Sequence, residues 1–167
     1  MKKILSILIS AVFLLTSCGE AASVGIIGGS DGPADIIVSD KKPVMLYYAD
    51  ENAEGLVAEE YEISEKTPED VLCALFDGPY KETSVSVFGE GTRLLGIEVK
   101  DGVATVDLSG GFLESIGDSL AVYSVVNTLT ELEDIDSVRI TVEGSENAVL
   151  GNYILSEGYT RNETLMK

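Results

Sequence analysis

The fold of this chain is decided by the stretch Leu95-Gly-Ile-Glu-Val-Lys-Asp-Gly-Val-Ala-Thr-Val-Asp-Leu-Ser109. Apolar and polar residues alternate on both sides of Asp101-Gly102, as they do along strands whose side chains point alternately to the two faces of a sheet. A two-residue type I′ turn needs positive φ at both central positions, which Asp and Gly tolerate best. The stretch therefore predicts a β-hairpin with its turn at Asp101-Gly102.

This turn fixes the register and gives the hairpin one apolar and one polar face. The predicted cross-strand pairs are Lys100 with Val103, Val99 with Ala104, Glu98 with Thr105, Ile97 with Val106, and Leu95 with Leu108. The apolar face carries Leu95, Ile97, Val99, Ala104, Val106 and Leu108, and the polar face carries Glu98, Lys100, Val103, Thr105 and Asp107. Because a lone hairpin is only marginally stable in water, the apolar face must pack against a second layer.

Further strands are predicted on both sides of this hairpin. Residues 44–49 and 56–63 are rich in strand-forming side chains and flank a polar loop, so we expect them to pair as a second hairpin. Residues 84–88 form a short extended segment, and residues 138–144 form the last clear strand. After the central hairpin, Gly110-Gly111 interrupts the chain, and we expect Phe112-Leu113 to fill the edge of the core.

Two helices are predicted from their end signals. Thr67-Pro68-Glu69-Asp70 begins the first, because threonine caps a helix, proline suits its first position and acids suit its positive end. Asp77-Gly78-Pro79 ends it, and Gly117-Asp118-Ser119 begins the longer one. In the longer helix, the apolar spacing predicts a buried stripe of Val122, Val125, Val126, Leu129 and Leu132, with Ser124, Asn127, Thr128 and Glu131 facing solvent.

The element order predicts an α+β fold. We expect a two-layer sandwich in which a mostly antiparallel or mixed sheet of about five to six strands packs against two helices. Residues 44–167 form one domain in this prediction, including a C-terminal tail in which Leu150, Tyr153, Ile154 and Leu155 allow partial docking.

Composition excludes several classes of function. The chain has 167 residues, with 11 basic and 29 acidic side chains. A surface of this charge repels phosphate backbones, so no nucleic acid is expected as a partner. The chain contains no histidine, which removes the commonest general base and the usual nitrogen ligand of zinc. We find no nucleophile–base pair, cofactor-binding loop or metal-ligand cluster, so we predict no catalytic, cofactor-binding or metal residues and no enzyme activity.

Residues 1–17 have the three parts of an export signal. Lys2-Lys3 is followed by a short apolar run and then by Leu15-Thr16-Ser17-Cys18, which resembles a bacterial lipobox. That resemblance implies cleavage after Ser17 and lipidation of Cys18, which would hold the protein to the outer face of the cytoplasmic membrane. With both lysines removed, the mature net charge becomes 9 − 29 = −20. The alternative is an ordinary signal peptide followed by an incidental cysteine.

Residues 18–43 are predicted to be a Gly-rich tether. The segment from Val24 to Val38 carries two Ile-Ile pairs, which is unusual for a linker, since flexible linkers are normally polar. Part of it, Gly25-Ile-Ile-Gly-Gly-Ser-Asp-Gly-Pro33, resembles a glycine-rich segment in the β subunit of sodium-pumping decarboxylases. The helices that surround the sodium site there are missing here, so no function is carried over.

The remaining motifs, in their order and spacing, resemble the GerMN domain of bacterial sporulation and spore-germination lipoproteins. They are Val44-Met-Leu-Tyr-Tyr48, Leu75-Phe-Asp-Gly-Pro79, Gly91-Thr92, Val106-Asp-Leu-Ser109 with Phe112, and Val138-Arg-Ile-Thr-Val-Glu-Gly144. The resemblance implies an assembly role in the cell envelope and no catalytic residues. This chain departs from the family pattern at Phe88-Gly89, where an Ile-Pro-like pair is usual.

Three function hypotheses remain. The first is a membrane-tethered, non-catalytic module that binds other envelope proteins, with the long helix and its acidic end at Glu131, Glu133, Asp134 and Asp136 as the preferred contact. A free sheet edge is the rival contact, since an unpaired strand edge templates pairing. The second is a lipoprotein that binds a small ligand or a cell-wall polymer. The third is an enzyme that uses paired carboxylates.

Overall fold

The computed structural model describes residues 41–167. The predicted signal peptide, Cys18 and the tether up to residue 40 lie outside the described residues. The elements in chain order are β1 (Lys42–Asp50), β2 (Leu56–Ile63), α1 (Pro68–Asp77), β3 (Ser84–Val85), β4 (Leu94–Lys100), β5 (Val103–Leu108), a 3-10 helix (Gly110–Glu114), α2 (Asp118–Leu129), β6 (Ser137–Val142), β7 (Val149–Leu150), β8 (Tyr153–Ile154) and a second 3-10 helix (Glu163–Leu165).

The central hairpin forms as predicted near its turn and differs at its far end. Asp101 and Gly102 both have positive φ, at 50° and 77°, and the register from Lys100↔Val103 to Ile97↔Val106 is confirmed. The predicted pair of Leu95 with Leu108 is wrong, because Leu94 lies opposite Leu108 and the register shifts between Leu94 and Gly96. Ser109 explains the shift, since its N–H donates to the Arg93 carbonyl and its Oγ accepts from the Arg93 N–H, both at 3.0 Å. Leu95 is therefore the extra residue of a β-bulge and is 41% exposed.

The α+β class is confirmed, with the strands divided among three sheets. The orders are β2-β1-β3, β4-β5-β6 and β7-β8. All strand pairs are antiparallel except β5 with β6, which is parallel. The outer edge of β6 is covered by the C-terminal segment, which we define as residues 155–167. Val138 and Tyr159 exchange backbone hydrogen bonds there, and the Ile140 N–H donates to the Leu155 carbonyl at 2.8 Å.

Helix α1 follows its sequence signals closely. Thr67 caps it by accepting a hydrogen bond from the Asp70 N–H at 3.1 Å, Pro68 is its first residue, and Gly78 caps its C-terminus with φ 96°. Val71, Leu72 and Leu75 are buried.

Helix α2 starts where predicted but is buried on almost every side. The apolar stripe from Val122 to Leu129 is buried as expected. The expectation that Ser124, Asn127 and Thr128 face solvent is wrong, since they are only 1%, 0% and 0% exposed. Their environment explains this, because α2 contacts β1 in one sheet, β6 in another, and α1.

Three aromatic side chains pack against one another: Phe76 on α1, Phe88 after β3 and Phe112 in the first 3-10 helix. The Phe88 ring lies 5.0 Å from Phe76 and 6.2 Å from Phe112, measured between centroids. Phe112 is fully buried, whereas Leu113 is 41% exposed, so only the first of these two residues fills the core. The departure at Phe88-Gly89 has a steric reason, since a Cβ on Gly89 would lie 2.2 Å from the Gly111 carbonyl oxygen.

Candidate interaction surfaces

The acidic residues at the C-terminal end of α2 differ in their exposure to solvent. The prediction that Glu131 faces solvent is wrong. Its Oε1 accepts a hydrogen bond from Tyr47 Oη at 2.6 Å and forms an ion pair with Arg161 Nη1 at 2.8 Å. Glu133 and Asp134 are exposed in the turn that follows the helix. The α2 surface is therefore largely unavailable to a partner, and its acidic end is smaller than predicted.

The group formed by Tyr47, Glu131 and Arg161 is a structural clamp. Burial raises the pKa of Tyr47, and its hydrogen bond to Glu131 raises the pKa further. Burial alone would lower the pKa of Arg161, but the hydrogen bond to Tyr47 and the charge of Glu131 leave the pKa raised. Tyr47 therefore stays neutral and Arg161 stays charged at physiological pH, so the clamp has no proton to exchange.

Two further polar side chains of α2, Asn127 and Thr128, bind the C-terminal segment and β1, respectively. Asn127 Nδ2 donates to the Asn162 carbonyl at 3.0 Å, and Asn127 Oδ1 accepts from the Asn162 N–H at 2.9 Å. Thr128 Oγ1 accepts from the Tyr47 N–H on β1 at 3.0 Å. Asn127 and Thr128, which sequence reasoning placed in solvent, thus satisfy backbone groups of elements far away in the chain. No local signal identifies partners separated by 35 and 81 residues.

A fully buried carboxylate, Glu59, also lies outside the sequence predictions. Glu59 on β2 is 0% exposed. Its Oε2 accepts from the Tyr80 N–H at 3.4 Å, and its Oε1 has no hydrogen-bond partner among the described residues. Across residues 41–167, no group of three or more His, Cys, Asp or Glu side chains is placed to hold a metal ion.

Strand β4 presents an open edge, which is the rival contact surface predicted from the sequence. It is the outermost strand of its sheet, and no described residue pairs with its other side. Leu95 and Val99 on this strand are 41% and 39% exposed. The described residues thus combine an unpaired strand with apolar side chains at one edge of the molecule.

The outward face of the β4-β5-β6 sheet carries a polar groove. Its larger part has a volume of about 430 Å³ and is lined by Glu98, Lys100, Asp101, Val103, Thr105 and Arg139. An adjoining part of about 180 Å³ is lined by Thr105, Arg139, Thr141, Glu146 and Ser156. The predicted polar face of the hairpin therefore forms one wall of the groove. Its centre is the pair shared by both parts, Thr105 and Arg139.

The remaining sequence prediction concerns the membrane. Cys18, the predicted lipidation site, lies outside the described residues. Within residues 41–167, no helix combines the length and the apolar character that a membrane span requires.

Comparison with known proteins shows which family this chain matches. Residues 45–148 match the Germane family, which is described as sporulation and spore germination. No curated protein matches this chain. The matched residues run from within β1 to beyond β6, include both α-helices and end before β7, so the β7-β8 hairpin and the C-terminal segment lie outside the match.

Two solved structures are similar to this chain. The tandem GerMN domains of the sporulation protein GerM from Bacillus subtilis align with a TM-score of 0.66 at 25% identity, covering 85% of this chain and 51% of that chain. The first GerMN domain of the same protein aligns with a TM-score of 0.58 at 21% identity, covering 74% of this chain and 98% of that chain. This chain thus spans about half the length of the tandem protein, and the second likeness supports the fold alone.

Proposed function

Because this chain belongs to the Germane family of sporulation and spore-germination domains, we propose that it is a non-catalytic docking module of the cell envelope. In this proposal, lipid on Cys18 anchors the protein to the outer face of the cytoplasmic membrane. The domain then binds neighbouring envelope proteins during sporulation or germination.

The open edge of β4 is the observation that carries this proposal. An unpaired strand edge offers a row of backbone donors and acceptors to an extended segment of another protein. Leu95 and Val99, at 41% and 39% exposure, supply apolar contacts beside that edge. The outer edge of β6 is paired with the C-terminal segment. Among the described residues, the outer edge of β2 is covered only at Leu56, by the Lys167 N–H, but the exposed residues of β2 are the acids Glu60 and Glu62, and charged side chains discourage pairing at a strand edge.

The anchor makes a modest interface sufficient. A lipid anchor confines the domain to a thin layer and raises its effective concentration for neighbouring membrane proteins. Two or more acyl chains hold a protein stably, whereas one is marginal. Residues 19–41 separate Cys18 from β1, so the domain would have reach along the membrane surface.

The test is partner recovery after crosslinking in intact cells. The double variant Leu95→Lys/Val99→Lys places charge at the open edge, and we expect it to lose most of the crosslinked partner without a change in melting temperature. Leu113→Lys/Val149→Lys is a matched control, because those side chains are similarly exposed, at 41% and 50%. Equal recovery from both variants would reject the β4 edge as the contact. A hydrolytic or transfer activity that vanishes on one carboxylate substitution would reject the docking function itself.

A further inference from the structure

The three strands β4, β5 and β6 align their outward residues in cross-strand rows. Glu98 lies opposite Thr105, and Thr105 lies opposite Arg139, so one row reads acid, hydroxyl, guanidinium. Neighbouring strands are about 4.8 Å apart, so the outer two residues of the row are separated by roughly 10 Å at the backbone. The small side chain of Thr105 leaves the groove open between them.

Arg139 forms no ion pair with any other residue in the part of the chain that the structure describes, although acids outnumber bases 29 to 11 in the chain. Gly158 lies beside it, since a Cβ on this glycine would be 3.9 Å from the Arg139 Nε. An arginine fork matches a carboxylate with two parallel hydrogen bonds.

The hydroxyl groups around Arg139 differ in whether they already form a hydrogen bond within the protein. Thr141 Oγ1 already donates to Asp107 Oδ1 at 2.9 Å, and the same carboxylate oxygen accepts from the Gly144 N–H at 2.8 Å. Thr105 Oγ1 and Ser156 Oγ line the groove, and neither makes a hydrogen bond to another described residue. The groove therefore offers a guanidinium and two free hydroxyls around its centre, and the exposed Glu98 carboxylate on the β4 side.

We propose that this groove binds a short zwitterionic peptide, with its carboxylate on Arg139 and its ammonium group on Glu98. The order of charges along the row favours a ligand that carries both signs. A purely anionic ligand would meet the repulsion of Glu98, Asp101 and Glu146 around the groove and of the protein's negative charge. An extended tripeptide spans about 10 Å at roughly 3.3–3.6 Å per residue, which matches the backbone separation of Glu98 and Arg139 across the row.

Calorimetric titration of the detergent-solubilised full chain tests this with three probes. Trialanine carries both charges, its carboxamide lacks the carboxylate, and N-acetyl-trialanine lacks the ammonium group. We expect trialanine to bind, and the carboxamide to bind about tenfold more weakly or worse, since hydrogen bonds to charged groups contribute more than neutral ones. N-acetyl-trialanine should also bind more weakly than trialanine.

Variants assign each effect to a residue. In Arg139→Gln, trialanine and its carboxamide should bind equally, and in Glu98→Gln, trialanine and N-acetyl-trialanine should bind equally. Arg93→Gln changes an exposed arginine that does not line the groove and should behave as wild type. Thr105→Val retains the fold and should weaken trialanine binding, which separates loss of the site from loss of structure.

Three results would overturn the proposal. They are no binding of trialanine, equal binding of trialanine and its carboxamide to the wild type, or tighter binding of inorganic phosphate than of trialanine. The proposal does not rest on docking at the β4 edge. Arg139→Gln is expected to leave recovery of the crosslinked partner unchanged, so the two can fail separately.

Discussion

Val106 and Thr105 are neighbours on β5 and test the orientation of the hairpin. Val106 is 0% exposed, whereas Thr105 faces the outer groove. Val106→Asp places an unpaired carboxylate in the core at a cost of several kcal/mol, comparable to the whole stability of a domain. We expect this variant to unfold and Thr105→Asp to melt near the wild type in thermal denaturation. Equal melting temperatures for the two variants would show that the strand faces are reversed.

Lys167 and Asp50 supply a pH-dependent contact between the C-terminal segment and the end of β1. The hydrogen bond from Lys167 holds the pKa of Asp50 below its ordinary value of 3.8, and the same bond raises the pKa of Lys167 above 10.5. The contact therefore stabilises the fold fully between these two values. It is lost as the pH falls through the folded pKa of Asp50, or rises through that of Lys167.

Urea unfolding of Lys167→Gln at several pH values measures this contact. We expect the variant to be less stable than the wild type at neutral pH and to converge with it in acid below the folded pKa of Asp50. Lys66→Gln, which changes an exposed lysine with no ion pair to a described residue, should differ little at any pH. A constant difference between Lys167→Gln and the wild type down to full protonation of Asp50 would contradict the assignment.

Helix α2 shows which parts of an element can be predicted from sequence and which cannot. Its start at Gly117-Asp118 and its apolar stripe follow from local residue preferences. Thr128 and Asn127 form hydrogen bonds with the backbone of β1 and of the C-terminal segment, respectively, and a partner 35 residues away leaves no periodic signal. The same distinction applies to β4, where the Asp101-Gly102 turn fixes the near end, but the contact of Ser109 with Arg93 displaces Leu95.

The groove and the arrangement of the sheets were likewise predictable only in part. The polar face of the hairpin was predictable from alternation, and it contributes Glu98 and Thr105 to the groove. Arg139 joins them only through the parallel pairing of β5 with β6, which the sequence did not specify. The division into separate sheets was also not predictable, because the C-terminal segment, and not another named strand, covers the outer edge of β6.

Asn127→Ala tests the role of α2 as a support for the C-terminal segment. The change removes two hydrogen bonds to the half-buried Asn162 backbone, each of which contributes about 0.5–1.5 kcal/mol to stability. We expect a lower melting temperature and faster amide exchange at Asn162. Asn147→Ala, at an exposed position, is the control and should melt as the wild type. Matching behaviour of the two variants would mean that the amide pair contributes nothing to stability.

In the proposed function, the domain acts at the membrane through lipid on Cys18, which lies outside the described residues. We expect mass spectrometry of membrane-extracted protein to show acylated Cys18 as the first residue. Cys18→Ala should release the domain or leave its precursor unprocessed, and Cys73→Ala, which keeps the lipobox, should leave membrane association intact. A soluble wild-type form that begins after Cys18, or a mature chain whose Cys18 thiol is oxidised instead of acylated, would contradict the anchor.

Docking at the β4 edge is tested most directly by site-specific photo-crosslinking in living cells. A photoreactive amino acid replaces Val99 at the open edge or, as the control, Val149 on β7, which are 39% and 50% exposed. A docking module that uses β4 predicts a discrete crosslinked envelope protein from position 99 in the membrane fraction and none from position 149. Irradiation that yields no adduct at position 99, or the same adduct from both positions, would contradict it.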